Sequence, residues 1–148
     1  LAMDSYVELY KGGIVPLQEF AQMKRDNDIL VRVIVKKDQK DFVYLSHRNS
    51  KTDFPVLTCA VSVDETEGWI SVGARPQKAV RMSMTEEVRK KVEQGVCSEE
   101  EMKKEAEDIS AQIKTDSNMR AGKEYRSHLA KVLIRRSLER LNAKGGDQ

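Results

Sequence analysis

Apolar positions recur with a period of two over the first half of the chain and with a period near four over the second. Ser5-Tyr6-Val7-Glu8-Leu9-Tyr10 alternates small or polar with apolar residues, the pattern of a half-buried strand. Gly12-Gly13 breaks it, and the pattern resumes from Ile14-Val15-Pro16-Leu17 toward Phe20. Ile29 to Val35 is dense in β-branched residues and predicts a strand. Lys36-Lys37-Asp38-Gln39-Lys40 reads as a solvated turn, Phe42 to Leu45 as a short strand, and Ser46 to Asp53 as a polar loop. After Pro55, Val56 to Val63 is the strongest strand signal. Asp64 to Gly68 is a turn, and Trp69-Ile70-Ser71-Val72 returns as its hairpin partner.

Beyond Pro76 the period lengthens. Ser83-Met84-Thr85-Glu86 predicts a capping box opening a helix with Val88 and Val92 on one stripe, stopped by Gly95. Ser98-Glu99-Glu100-Glu101 is a clearer capping box, in which serine and glutamate each satisfy an amide of the first turn. Its helix places Met102, Ala106, Ile109 and Ile113 on one apolar face. The last helix runs from about Gly122 to Asn142 and ends at Gly145-Gly146.

At about 100° per residue, Tyr125, Leu129, Val132, Leu133 and Arg136 fall on one side of that helix. Ile134, Leu138 and Leu141 fall nearly opposite. Two apolar sides predict a helix sandwiched between the sheet and a further helix or a partner protein. Arg136 sits within the first stripe. Buried, it would need a carboxylate; by default its stem packs and its head reaches solvent.

Strands first and helices afterwards predict an α+β fold: an antiparallel sheet of three to four strands with three helices packed on one face. The 148 residues fit one domain, or one domain with a tail. Charged residues make up 34% and hydrophobics 39%, a polar but foldable balance. The net charge of +2 argues against a dedicated nucleic-acid binder, which carries a large basic excess. No apolar run approaches the ~20 residues that span a bilayer, and no signal-peptide pattern is visible. A cytoplasmic protein is expected, and Leu1 in place of Met suggests a piece of a longer chain.

The chain offers little for catalysis. There is no Gly-rich phosphate loop, and neither His47 nor His128 has a neighbour at zinc-ligand spacing. His128 reads as a solvated helix histidine and Cys59 as a core residue. Cys97 precedes the Ser98 cap, where a helix N-terminus can lower a thiol pKa, but no base stands beside it in sequence. Leu45-Ser46-His47-Arg48-Asn49-Ser50-Lys51-Thr52-Asp53 stands apart, because a polar loop between strands offers donors and two cations to an anionic ligand. The bland alternative is an ordinary hydrophilic connection. Gly73-Ala74-Arg75-Pro76-Gln77-Lys78-Ala79-Val80-Arg81 reads as a basic, extended edge, placed to meet an acidic partner or to guard against aggregation.

Several of these segments together resemble a known family. Ile70-Ser71-Val72-Gly73-Ala74-Arg75-Pro76 is followed by Glu124-Tyr125-Arg126-Ser127-His128-Leu129-Ala130, then Leu133 and Arg135-Arg136. They are preceded by Val15-Pro16-Leu17-Gln18-Glu19-Phe20, Asp28-Ile29-Leu30-Val31-Arg32-Val33, and Ser46-His47-Arg48 with Asp53. In this order they resemble the C-terminal domain of the FAD-binding flavoprotein subunit of molybdenum hydroxylases, a group that includes xanthine dehydrogenases and carbon monoxide dehydrogenases.

The resemblance implies an entry segment over 1–27 following a missing N-terminal FAD-binding domain, the α+β domain over 28–142, and a tail over 143–148. It implies a domain that helps cover the flavin and dock partner subunits carrying molybdenum cofactor and iron–sulfur centres. The electrons would go to NAD or another acceptor, and xanthine or a related purine is the first substrate suggested, at a site on another subunit or domain. FAD is implied for the full-length subunit, while the isolated fragment is expected to be inactive and to bind it weakly or not at all. Ser46, Arg48 and Asp53 take the places of the family's flavin-facing polar loop. Some members carry a lysine earlier, where this chain has Val43 to Leu45, and Lys51 is the substitute offered. Tyr125 is implied to pack, and Arg126 or Arg136 to pair with an acid.

Two other readings compete with this one. A small α+β module could bind protein or nucleic acid, but Asp38 and Asp41 interrupt the basic turn and surface aromatics for stacking look lacking, so no nucleic acid is expected. A homodimer through the second side of the last helix is compatible with the family reading.

Overall fold

The computed structural model describes residues 1–24, 27–37 and 40–146, so Asp38 and Gln39 of the expected Lys36–Lys40 turn lie outside the described residues. Two compact units divide near residues 39 and 40, with Ala2 assigned to the second.

In the first unit, β1 (Ser5–Leu9), β2 (Gly13–Pro16) and β3 (Leu30–Val35) form an antiparallel sheet in the order β2-β1-β3. Gly13, at φ +69°, turns β1 into β2, a left-handed conformation natural to glycine. The Asp28 carboxylate steadies this turn, accepting from the amides of Lys11 at 2.9 Å and Gly12 at 2.8 Å. Desolvation opposes its ionisation, but the amides of Lys11, Ile29 and Gly12 still hold its pKa below the usual carboxylate value. Residues 17–22, read from sequence as a resumed extended pattern, form the short helix α1 (Leu17–Gln22). Pro16 stands at its N-cap.

The sequence reading also grouped the strand over 29–35 with the later strands. It pairs instead with β1, Tyr6 opposite Ile34 and Val7 opposite Val33.

The second unit carries the antiparallel sheet β4 (Asp41–His47), β5 (Leu57–Val63), β6 (Gly68–Gly73) and β7 (Val80–Ser83), in sequence order. Three helices follow: α2 (Glu86–Glu93), α3 (Glu99–Gln112) and α4 (Lys123–Gly145). The register aligns Val43, Val61 and Ile70 in one row and Leu45, Cys59 and Val72 in the next. These residues share the face that packs with Val92, Leu133, Ile134 and Leu138 in one continuous core. The α+β architecture of an antiparallel sheet with helices is as expected. Its fourth strand is β7, drawn from the end of the segment read as an extended edge.

Helix α4 packs against β4 and β5 of the sheet and against helices α3 and α2. Its buried positions are Arg126, Leu129, Ala130, Leu133, Ile134, Ser137, Leu138 and Leu141. They cover about half the helix circumference. The two apolar stripes are therefore flanks of one buried face, centred on Arg126, Ala130 and Ser137. Leu138 and Leu141 are packed in this unit's own core, which removes the basis for a dimer through them. Arg136 is exposed, following the default reading.

The capping box of α3 is present, with Glu101 N donating to Ser98 Oγ at 3.3 Å and Ser98 N to Glu101 Oε2 at 2.9 Å. The box expected at Ser83–Glu86 is absent, because Ser83 ends β7. Glu105 of α3 takes over instead, accepting from Thr85 N at 2.7 Å and Thr85 Oγ1 at 3.0 Å. Helices α2 and α4 meet at glycines. A Cβ on Gly145 would lie 2.4 Å from the Glu93 carbonyl oxygen, and Gly95 has φ +72°.

Candidate functional site

Sheet formation carries the candidate loop to one end of the second unit. Ser46 and His47 are strand residues, paired with Thr58 and Leu57, so the connection begins at Arg48. It closes when Val56 N donates to His47 O at 2.8 Å. Inside it, Arg48 Nη1 donates to Asp53 O at 2.8 Å, and its Nε reaches Ser46 Oγ at 3.4 Å. Arg48 thus gathers Ser46 and Asp53, while Lys51 stands exposed at the tip. Among the described residues neither Arg48 Nη2 nor Lys51 Nζ has a partner.

Asp53 does not face a ligand as a free carboxylate. Its Oδ1 accepts from Phe54 N at 2.7 Å and lies 3.6 Å from Arg120 Nε. The Arg120 guanidinium also sits 5.3 Å from the centroid of Phe54, which is 73% exposed. On the helix side, Tyr125 Oη and His47 Nε2 are 3.1 Å apart, with the rings edge to face. Tyr125, implied to pack, is half exposed and holds His47 instead.

Beneath the loop lies a residue whose role the resemblance misassigned. Arg126 is 1% exposed and pairs with no acid. Its Nη1 donates to the carbonyls of Val56 and Ala74 (2.6 Å to the latter), its Nη2 to Asn118 Oδ1 at 2.5 Å, and its Nε to Ala121 O at 3.4 Å. One planar fork ties the β4–β5 connection, the end of β6 and the segment before α4. Ala74 takes φ +57°, and its carbonyl is one of the oxygens that Arg126 holds. Arg75 is also buried, donating to Lys78 O at 2.7 Å and Gln77 Oε1 at 2.7 Å. Arg81 stacks 3.6 Å from the Trp69 ring centroid. The basic edge segment is therefore largely committed within the unit.

The cysteines supply no nucleophile. Burial pushes the Cys59 thiol up to about 12. Burial, then the Glu101 carboxylate, pushes Cys97 up to about 11, opposite to the lowering that a helix N-terminus can produce. Among the described residues no group of three or more His, Cys, Asp or Glu could hold a metal, and no helix is long and apolar enough to cross a membrane. Surface aromatics, counted as lacking from sequence, do occur: Phe42, Tyr44 and Phe54 are exposed. The arrangement can offer hydrogen bonds and positive charge to an anionic group beside an aromatic ring.

The comparisons with known proteins agree with this picture. A family described as CO dehydrogenase flavoprotein C-terminal domain matches residues 42–141. No curated protein matches the chain. Among solved structures, quinoline 2-oxidoreductase from Pseudomonas putida 86 superposes with a TM-score of 0.76 at 14% identity, over 98% of this chain and 54% of that one. CO dehydrogenase from Hydrogenophaga pseudoflava gives 0.73 at 15% identity, over 96% and 54%. Reconstituted CO dehydrogenase from Oligotropha carboxidovorans gives 0.71 at 18%, over 96% and 54%. At such identities the likeness is one of fold, and the chain spans about half the length of those it resembles. The family match takes in nearly all of the four-stranded sheet and its three helices, and the chain belongs to the CO dehydrogenase flavoprotein C-terminal domain family.

Proposed function

We propose that this chain is the C-terminal part of the FAD-binding subunit of a molybdenum hydroxylase. In this reading it helps cover a flavin held mainly by the rest of the subunit, and docks partners bearing molybdenum cofactor and iron–sulfur centres. The family match across the second unit carries the reading. The β4–β5 loop supports it: Arg48 and Lys51 are cations with donors to spare, and Asp53 is neutralised by Arg120. That donor set fits one contact to an anionic group such as the FAD phosphates. It does not fit a whole cofactor site, since no Gly-rich phosphate loop is present. Flavin, when bound, supplies the electron-carrying chemistry; these residues would orient it and exclude water.

The proposal includes a xanthine dehydrogenase-like substrate, which the resemblance suggests, and a cytoplasmic location. The test is the Arg48→Ala/Lys51→Ala double variant of the full-length polypeptide, titrated with FAD by fluorescence. Two charge-assisted hydrogen bonds at ~1.5 kcal/mol each predict affinity weakened by about a hundredfold. Unchanged affinity would remove the loop from the flavin site.

A further inference from the structure

The end of the second unit that carries the candidate loop also exposes two large apolar side chains on a fixed frame. Met119 is 94% exposed and Phe54 73%. Lone exposed apolar residues are ordinary, but these two flank one cation. Arg120 follows Met119 in the chain, and its guanidinium lies 5.3 Å from the Phe54 centroid. The turn that presents Met119 is held from below. Asn118 N donates to Ala121 O at 3.1 Å, and Asn118 Oδ1 accepts from Arg120 N at 2.9 Å. That same Oδ1 and the Ala121 carbonyl also accept from the buried Arg126. Lys123 N, donating to Ser117 Oγ at 2.9 Å, fastens the segment before α4. The Met119 side chain itself contributes almost nothing to the packing of this unit.

We infer that Phe54, Met119 and Arg120 form a docking knob for a partner subunit of the same complex, one that offers an apolar recess rimmed by carboxylates. This rests on the proposed reading of the chain and deepens it, by assigning partner docking to a defined surface. An aromatic ring, a methionine and an arginine are side chains enriched at the centres of protein interfaces. The frame is preorganised, so association need not order this turn. Charge sets the sign of the partner. Asp53 is matched by Arg120 at 3.6 Å, and Asp116 Oδ1 accepts from Ser117 N at 2.8 Å. Lys51, Lys114 and Lys123 are exposed in the same segments, against Glu124 as the further exposed acid. Positive potential beside apolar anchors favours an acidic rim. A membrane surface fits less well, because interfacial segments bury a whole apolar helix face rather than two side chains.

Surface plasmon resonance tests this with the full-length polypeptide and the molybdenum-cofactor and iron–sulfur subunits of the same organism. Substitutions at Met119 leave the fold intact, because its side chain is almost wholly in solvent. Met119→Asp is expected to weaken association at least about tenfold, and Met119→Lys by less than about threefold. The gap between the two should narrow as salt is raised. Phe54→Ser is expected to weaken association by about tenfold as well. Unchanged affinity in all three variants would overturn the inference, and so would Met119→Lys proving the more damaging. Binding to phosphatidylglycerol vesicles that Met119→Asp abolishes, with subunit association untouched, would overturn it in favour of a membrane. Failure of the unaltered chain to bind either subunit would overturn it too. Flavin content of the same samples separates the two ideas. Flavin bound with variants that associate normally removes only the knob, and selective loss of association in a chain without flavin removes only the functional reading.

Discussion

Arg126 is where residue-level chemistry decides the most. A guanidinium stays charged even where burial, with the Arg120 charge nearby, lowers its pKa. It is tolerated at 1% exposure because oxygens surround it on three sides. Arg126→Met would leave the Val56 and Ala74 carbonyls without their donor, at about 1–3 kcal/mol for each buried orphan. Urea denaturation is expected to show a loss of at least about 3 kcal/mol, with Arg126→Lys recovering less than half because an ammonium lacks the planar fork. A loss under about 1 kcal/mol, the size of an exposed pair, would contradict the role. The residue was only half legible in sequence. The resemblance marked Arg126, but an arginine on a helix is ordinarily paired or snorkelled, and carbonyl acceptors from distant turns leave no local pattern. Arg120, Asn118 and Phe54 left no signal for the same reason.

Among the elements, α3 owes its start to chemistry that sequence shows in full: a serine, a glutamate three residues on, then an apolar face. The Lys91 ammonium, with the Ser98 amide and hydroxyl, holds the Glu101 carboxyl down to about 2. Its folded pKa lies below the ordinary 4.5, so its stabilisation is present above that value and is lost as pH falls through about 2. Asp64, at the β5–β6 turn, adds to the same trend. Burial opposes it, but the amides of Thr66 and Glu67 hold its carboxyl well below the usual range. The urea midpoint should therefore fall between pH 5 and pH 2, and Glu101→Gln should lower it at pH 5 while flattening its slope. A slope unchanged by that substitution would contradict the assignment. The start of α2 was illegible for the opposite reason. Its cap comes from Glu105, 20 residues on, so the Ser83–Glu86 pattern was a false match. Helix α4 shows a third case. Its buried centre is filled by Arg126, Ala130 and Ser137, which a hydrophobic pattern skips, and one face then reads as two.

For the whole molecule, the order of strands and helices was legible because the apolar period changes at Pro76, and that change fixes α+β. The division into two sheets was not. Every strand carries the same period of two, and nothing local tells β3 to pair backward with β1 while β4 pairs forward with β5. The candidate loop could be located from its polarity, but its ends and the neutralised state of Asp53 required the fold. What emerges is a family domain whose second unit has its own core and presents cations at one end. The most direct measurement of this account is the flavin content of the full-length polypeptide, released by denaturation and identified by chromatography. One FAD per chain is the predicted result; a folded full-length polypeptide carrying no flavin, and taking none up when it is supplied, would contradict it.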